Sequence, residues 1–244
     1  MEVALEYIEK VDGTVLWVVI GFVLLRLAFK RVAKMRDRKL IESVTSLHRG
    51  TSSERDFILK LLKSGVPKQT IFHDLCIRKS DGKFSQIDVV VVTTQGVIVF
   101  EVKDYSGWIF GSGNNSHWTK VLAYGKAKYR FYNPIKQNAY HIKAIKSQLK
   151  QFDSIPFFSV ILFFGDCELK EITYVPKRTY LVKEHRVLEV LEQIKNNNVP
   201  APYTDKRAVV TALQQAVDLG ANLKYQKTHI SNINDMLGKH RIFD

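Results

Sequence analysis

The chain has 244 residues, 45% of them hydrophobic and 25% charged, which is enough to close one sizeable core and excludes disordered and collagen-like classes. With 37 Lys and Arg against 24 Asp and Glu the net charge is +13, which directs attention to a polyanionic partner, either nucleic acid or an anionic membrane. The two cysteines, Cys76 and Cys167, cannot build a disulfide framework beyond a single bridge, and no Cys-x-x-Cys or Cys/His spacing points to zinc.

Residues 1–12 are acidic, with Glu2, Glu6, Glu9 and Asp12 opposed by Lys10 alone. Gly13–Phe29 (GTVLWVVIGFVLLRLAF) then carries Arg26 as its one charge, so at about 1.5 Å per residue it spans about 25 Å as a short transmembrane helix. Residues 30–48 form a basic linker holding Lys30, Arg31, Lys34, Arg36, Arg38 and Lys39. The positive-inside bias places the amino terminus outside and the rest in the cytosol, a single-pass protein of the cell membrane. The alternatives are a cleaved signal peptide, which needs a basic start and a small-x-small site, and a buried core helix. Without residues 1–40 the chain keeps 29 basic and 19 acidic residues, so the excess charge belongs mostly to the domain itself.

Ser52 or Ser53 can cap a helix whose apolar residues Phe57, Ile58, Leu61 and Leu62 keep helical spacing up to Gly65 and Pro67. The period then changes to two: 70–78, 84–93 and 97–103 read as strands separated by turns at Ser80-Asp81-Gly82 and Gln95-Gly96. Asn133-Pro134 starts a helix with Ile135, Ala139, Ile142, Ile145 and Leu149 on one stripe. Phe157–Phe164 reads as a strand covered on both faces, 178–182 as another short one, and 184–197 and 205–223 as helices. The order predicts an α/β sandwich with one mixed sheet.

The chemistry concentrates on the hairpin of the second and third strands. If Gln95-Gly96 is a two-residue turn, Asp88 faces Lys103, Glu101 lies diagonal to Asp88, and the period of two puts all three on one side. Two carboxylates and an ammonium on apolar strands are costly to desolvate unless something uses them. Carboxylates from adjacent strands suit Mg²⁺, which keeps waters for a substrate phosphate, while Lys103 can hold a water or a developing phosphorane charge. A structural Asp–Lys cross-strand pair is the bland alternative.

Asp88 followed by Glu101-Val102-Lys103 resembles the D…(D/E)-x-K core of restriction-endonuclease-like nucleases. The wider set is similar to the nuclease-related domain (NERD) family. It consists of Gly50-Thr51-Ser52-Ser53-Glu54, Gln86-Ile87-Asp88, Gly96, Glu101-Val102-Lys103-Asp104-Tyr105-Ser106-Gly107, Trp118 and Asn133-Pro134 with Gln137. The resemblance covers about Arg49–Phe164 and implies a restriction-endonuclease-like mixed sheet flanked by helices; with the later elements the domain is expected over residues 49–182, followed by a helical extension at 183–244. It implies Asp88 and Glu101 as ligands of Mg²⁺ or Mn²⁺, Lys103 as the catalytic lysine, Glu54 as a further ligand or water orienter, and Gln137 as a polar group near the phosphate. Ser53 stands where the family usually has Gly. On a helical wheel Gln137 falls with His141 and Gln148 nearly opposite the apolar stripe, which a solvated face would also produce.

Residues 104–132 are long for a plain connection and rich in Gly and aromatics, with Lys120, Lys126, Lys128 and Arg130 interleaved among them. That mixture suits phosphate neutralisation and base stacking, and Lys136, Lys143 and Lys150 form a basic helical row. Extra hairpins packing Trp108 and Trp118 on the sheet are the alternative. His73, His117 and His141 have no metal-ligand spacing. The sequence therefore predicts a membrane-tethered, metal-dependent nuclease acting on nucleic acid, DNA before RNA, and is compatible with a homo-oligomer. The rival is a nuclease-like module that holds nucleic acid without cutting it.

Overall fold

The computed structural model describes residues 13–78, 84–122, 125–148 and 150–221. The acidic start at 1–12, the Ser80-Asp81-Gly82 turn, Leu149 and residues 222–244 lie outside the described residues.

In chain order the elements are α1 (Gly13–Glu42), α2 (Ser52–Lys63), β1 (Ile71–Arg78), β2 (Phe84–Thr93), β3 (Gly96–Asp104), β4 (Gly107–Ser112), β5 (His117–Leu122), β6 (Ala127–Tyr132), α3 (Pro134–Lys146), β7 (Phe157–Phe164), β8 (Cys167–Thr173), β9 (Thr179–Lys183), α4 (Val187–Asn196) and α5 (Lys206–Ala221). A five-stranded sheet runs β1-β2-β3-β7-β9 and a four-stranded one β6-β5-β4-β8. Both are mixed: β1, β2 and β3 pair antiparallel, β3, β7 and β9 parallel, and β4 meets β5 antiparallel but β8 parallel. The expected single sheet is thus two, because the glycine-rich 104–132 stretch folds as three strands and 167–173 supplies a fourth.

Two parallel strands turn the corner together. β3 passes through Tyr105-Ser106 into β4, and its neighbour β7 passes through Gly165-Asp166 into β8. Gly165 has φ +68, and a Cβ there would run into the carbonyl of Tyr105, so the second corner nests against the first.

The large sheet is covered on both faces, which accounts for its near-continuous apolar runs. One face carries Val89, Val91, Ile98, Phe100, Phe158 and Val160 against Phe57, Ile58 and Leu61 of α2 and Val187 and Ile194 of α4. The other carries Phe72, Leu75, Ile87, Val90, Val97 and Val99 against Ala144 and Ile145 of α3 and Val209, Leu213 and Ala216 of α5. Each such side chain contributes about 1.5–3 kcal/mol when fully buried.

The alternation along two strands turns over at one level. Val89 and Ile87, two residues apart, face opposite sides, so the reversal falls at Asp88; on β1 it falls at Asp74, which has φ +54. Register is unchanged on either side, from His73–Val89 to Leu75–Ile87. Arg49 holds the kink: its Nε donates to Asp74 Oδ2 (3.0 Å) and its Nη2 to the Asp74 carbonyl (2.7 Å), while Gln86 Nε2 donates to Oδ1 (2.6 Å).

The helix α1 continues unbroken for 30 residues. Its last turns meet α2 through an Asp37–Lys63 ion pair (2.8 Å) and buried Ile41. Its apolar side chains from Val15 to Phe29 are exposed all round, Trp17 at 72% and Phe29 at 76%. Among the described residues no helix is long and apolar enough to cross a membrane.

Candidate active site

The β2–β3 turn is Thr94-Gln95 rather than Gln95-Gly96, since Thr93 pairs with Gly96. Gly96 has φ +144, and a Cβ there would strike the Pro156 carbonyl, which fixes glycine as the first residue of β3. The register therefore moves by one pair: the ladder ends at Val89–Phe100, so Asp88 stands level with Glu101 and not with Lys103. Beyond that pair the strands part, and Asp88 Oδ2 accepts from the backbone N–H of Val102 (2.7 Å).

Glu101 is 1% exposed and saturated with donors. Lys103 Nζ lies 2.6 Å from Oε1 and His141 Nε2 3.1 Å from Oε2. Burial pushes its pKa up, but the charge of Lys103 and the His141 contact outweigh burial and hold it below the usual carboxylate value. Lys103 also donates to Gln137 Oε1 (3.1 Å). Burial works against its ammonium, but Glu101 and Asp88 prevail and its pKa is raised. Asp88 is the opposite case: burial, then the charges of Glu101 and Glu54, push its carboxyl well above the ordinary 3.8.

Glu54 sits on the first turn of α2. The cap of this helix is Thr51, one residue before the expected serines, and Glu54 completes a capping box by accepting from Thr51 N (3.2 Å) and Oγ1 (2.8 Å). Its other oxygen meets His73 Nε2 at 2.9 Å. Burial raises the Glu54 pKa, but the His73 and Thr51 hydrogen bonds bring it below the usual value. Ser53, in the position usually held by Gly, donates to Asp104 at the end of β3.

Two histidines read from sequence as ordinary stand directly behind the acids. His141 binds Ser85 Oγ through Nδ1 (2.8 Å), and His73 binds Thr45 Oγ1 through Nδ1 (2.8 Å). An ionised carboxylate only accepts, so each Nε2 carries the proton that meets its acid. Pattern could have flagged one of them: His141 is four residues after Gln137, on the same helical side. The solvated-face reading of that side is corrected, since His141 is buried and Gln137 half-buried, whereas Ala139 of the expected stripe is exposed. Asn138, fully buried, replaces it in the packing and donates to Val99 O (2.8 Å) and Ser159 Oγ (2.9 Å).

Among the described residues no three His, Cys, Asp or Glu side chains converge on a point where they could hold one metal ion. Glu101 spends its oxygens on Lys103 and His141, and Glu54 on Thr51 and His73, so a cation at Asp88 would share Glu101 with the donors that already hold it. Two carboxylates are compatible with Mg²⁺, which takes few protein ligands, and a cation beside Asp88 would offset the burial and the neighbouring acid charges that raise its pKa.

The expected nucleic-acid contacts divide. Lys126, Lys128, Arg130 and Lys143 are exposed. Lys120 lies between the rings of Tyr105 (4.8 Å) and Tyr129 (5.6 Å), and Lys136 Nζ donates to Asn114 O (2.7 Å). Trp118 is buried in the second sheet, as the hairpin alternative holds, and donates to Ser112 O (2.9 Å).

A mixed sheet with an Asp at the fork of an antiparallel pair and a Glu-x-Lys on the next strand defines a nuclease-like α/β domain. The chain belongs to the nuclease-related domain family, whose pattern matches residues 49–164, and a restriction-endonuclease-like superfamily is consistent with it. An uncharacterised protein of Bacillus anthracis is 30% identical over 173 residues, covering 67% of this chain and 79% of that protein. No solved structure matches the chain.

Proposed function

We propose that the protein is a divalent-metal-dependent nuclease that hydrolyses phosphodiester bonds, in DNA first, while tethered to a membrane by α1. One observation carries the reading. Asp88 stands level with Glu101 at a strand fork, 2.6 Å separates Glu101 from Lys103, and burial followed by the charges of Glu101 and Glu54 raises the Asp88 pKa, a cost that a bound cation would offset.

Asp88 and Glu101 would hold Mg²⁺ or Mn²⁺, which when bound lowers the pKa of a water and polarises the phosphate. The remaining work falls to the chain. Lys103, kept protonated by Glu101, offers its ammonium to the attacking water or to charge building on the phosphoryl oxygens. Gln137 fixes that ammonium from α3, and Val102 N–H fixes Asp88. Glu54 acts from one step back, as an orienter held by His73. The apolar side chains exposed all round α1 between Val15 and Phe29, interrupted by the one charge of Arg26, support insertion into a bilayer, because such a surface needs cover on every side.

The test is cleavage of labelled DNA and RNA by the full chain in detergent with Mg²⁺, Mn²⁺ or EDTA, beside Lys103→Ala and Glu101→Ala. The proposal requires chelator-sensitive cutting lost in both variants with binding retained. Equal cutting by wild type and variants would defeat it, and salt-sensitive binding without cutting by any form would instead identify the holding module.

A further inference from the structure

From Tyr105 to Phe152 the chain runs 48 residues without one Asp or Glu, and within them lie Lys120, Lys126, Lys128, Arg130, Lys136, Lys143, Lys146 and Lys150. Eight cations without an acid, in a chain of net charge +13, concentrate positive charge here, six of them on β5, β6 and α3. The fold then arranges part of this segment as a surface. β6 is the edge of the second sheet, and its alternate residues Lys128, Arg130 and Tyr132 share one face, opposite Val121, Thr119 and His117 of β5. Asn133 comes next and caps α3, so the strand hands over directly to the helix. There Lys136, Tyr140 and Lys143 lie in line, and the Tyr132 hydroxyl is near enough to that of Tyr140 across the junction for Tyr140 to add to the effect of burial in raising its pKa. Tyr132 is 39% exposed and Tyr140 60%. Three residues before Tyr140 stands Gln137, which holds Lys103.

Resting on the nuclease reading above, we infer that Lys128, Arg130, Tyr132, Tyr140 and Lys143 form a track for an unpaired polynucleotide strand leading to Lys103. The cations neutralise phosphates in series, and the tyrosines offer ring faces to bases. A duplex turns its base faces inward on one another, so ring platforms discriminate for the single strand, whereas a purely cationic face would favour the denser charge of a duplex. The platform touches ring faces and phosphates, so RNA and DNA single strands of one sequence bind alike.

The experiment measures fluorescence anisotropy with the full chain in phosphatidylcholine nanodiscs, in EDTA so that no strand is cut. Its probes are a labelled unstructured 20-nucleotide DNA, the same sequence as RNA, and the 20-base-pair duplex. The single strands are expected to bind about 10-fold or more tighter than the duplex, and Tyr132→Ala with Tyr140→Ala to remove about 10-fold of that affinity while leaving the duplex unchanged. Tyr132→Phe with Tyr140→Phe keeps the rings and the affinity, which separates stacking from loss of the hydroxyls. Lys128→Ala with Arg130→Ala lowers the slope of log K against log salt by about 1.4 on the single strand. Equal or tighter duplex binding, or full single-strand affinity in the folded double Ala variant, would overturn the track. Displacement of the strand by phosphatidylserine vesicles, but not phosphatidylcholine ones, would assign the face to lipid and overturn it too. Because binding is read without metal, a chain that never cuts sinks the nuclease reading alone, and one that cuts without strand preference sinks the track alone.

Discussion

His141 Nε2 lies 3.1 Å from Oε2 of Glu101, the oxygen that faces away from Lys103, so the carboxylate is clamped between an imidazole and an ammonium. His141→Leu would leave Oε2 buried without a donor and let Glu101 swing toward Lys103. Cleavage is expected to fall about 10–100-fold, the usual cost of losing a group that orients a ligand. His141→Gln, whose amide N–H can reach the same oxygen, should restore most of the rate. Mn²⁺ binding measured by titration calorimetry should move in parallel with activity.

Asp88 predicts an unusual pH response. Its folded pKa is raised above the ordinary 3.8, so the folded state holds more protons than the unfolded one, and stability falls as pH climbs through the folded pKa. Asp88→Asn removes that loss. In EDTA the variant should melt close to wild type at the acid end and gain on it as pH rises, by about 2–4 °C for each kcal/mol recovered. With saturating Mg²⁺ at neutral pH the order should reverse, because wild type alone keeps the carboxylate. Differential scanning fluorimetry from pH 4 to 8 would check both halves.

The Arg49–Asp74 pair has side chains only 10% and 8% exposed. Arg49→Ala would strand a buried carboxylate at a left-handed backbone position, and a loss of about 3–5 kcal/mol is expected. Since Asp74 and Asp88 mark the same level of neighbouring strands, the variant should also lose cleavage beyond what its stability predicts. Urea unfolding and single-turnover rates at a temperature where both proteins are folded would separate the two effects.

If α1 inserts in a bilayer, the full chain should stay with membranes after alkaline carbonate washing. Ile20→Arg with Phe22→Arg, each costing about 2.5–3.5 kcal/mol at the centre of a span, should release it to the supernatant. Release of wild type under the same wash would refute the tether.

Asp88, Glu101 and Lys103 were legible because they interrupt strongly apolar strands, and helix α3 announced itself through Asn133-Pro134. The register was harder: Thr94-Gln95 and Gln95-Gly96 both make two-residue turns, and what separates them is the approach of Pro156, distant in sequence, to Gly96. The second sheet was illegible for a similar reason. β8, Cys167–Thr173, is mostly exposed and carries three charges, so no apolar pattern marks it, and it is held by backbone pairing to β4. The histidines behind the acids escaped because a lone His on a mixed pattern carries no periodic signal, and its meaning lies in a partner 40 residues away for His141 and 19 for His73.

In the proposed nuclease, the double corner at Tyr105 and Gly165 separates two jobs along one continuous pair of strands. The end of β3 before the corner carries the reacting groups, with β7 alongside it, and beyond the corner β4 and β5 carry β6, whose edge begins the polymer track that α3 continues. A lineage can therefore rewrite residues 107–132 as a cassette, exchanging charge and aromatic rings to suit another strand or another end structure, without moving a single acid of the centre that cuts.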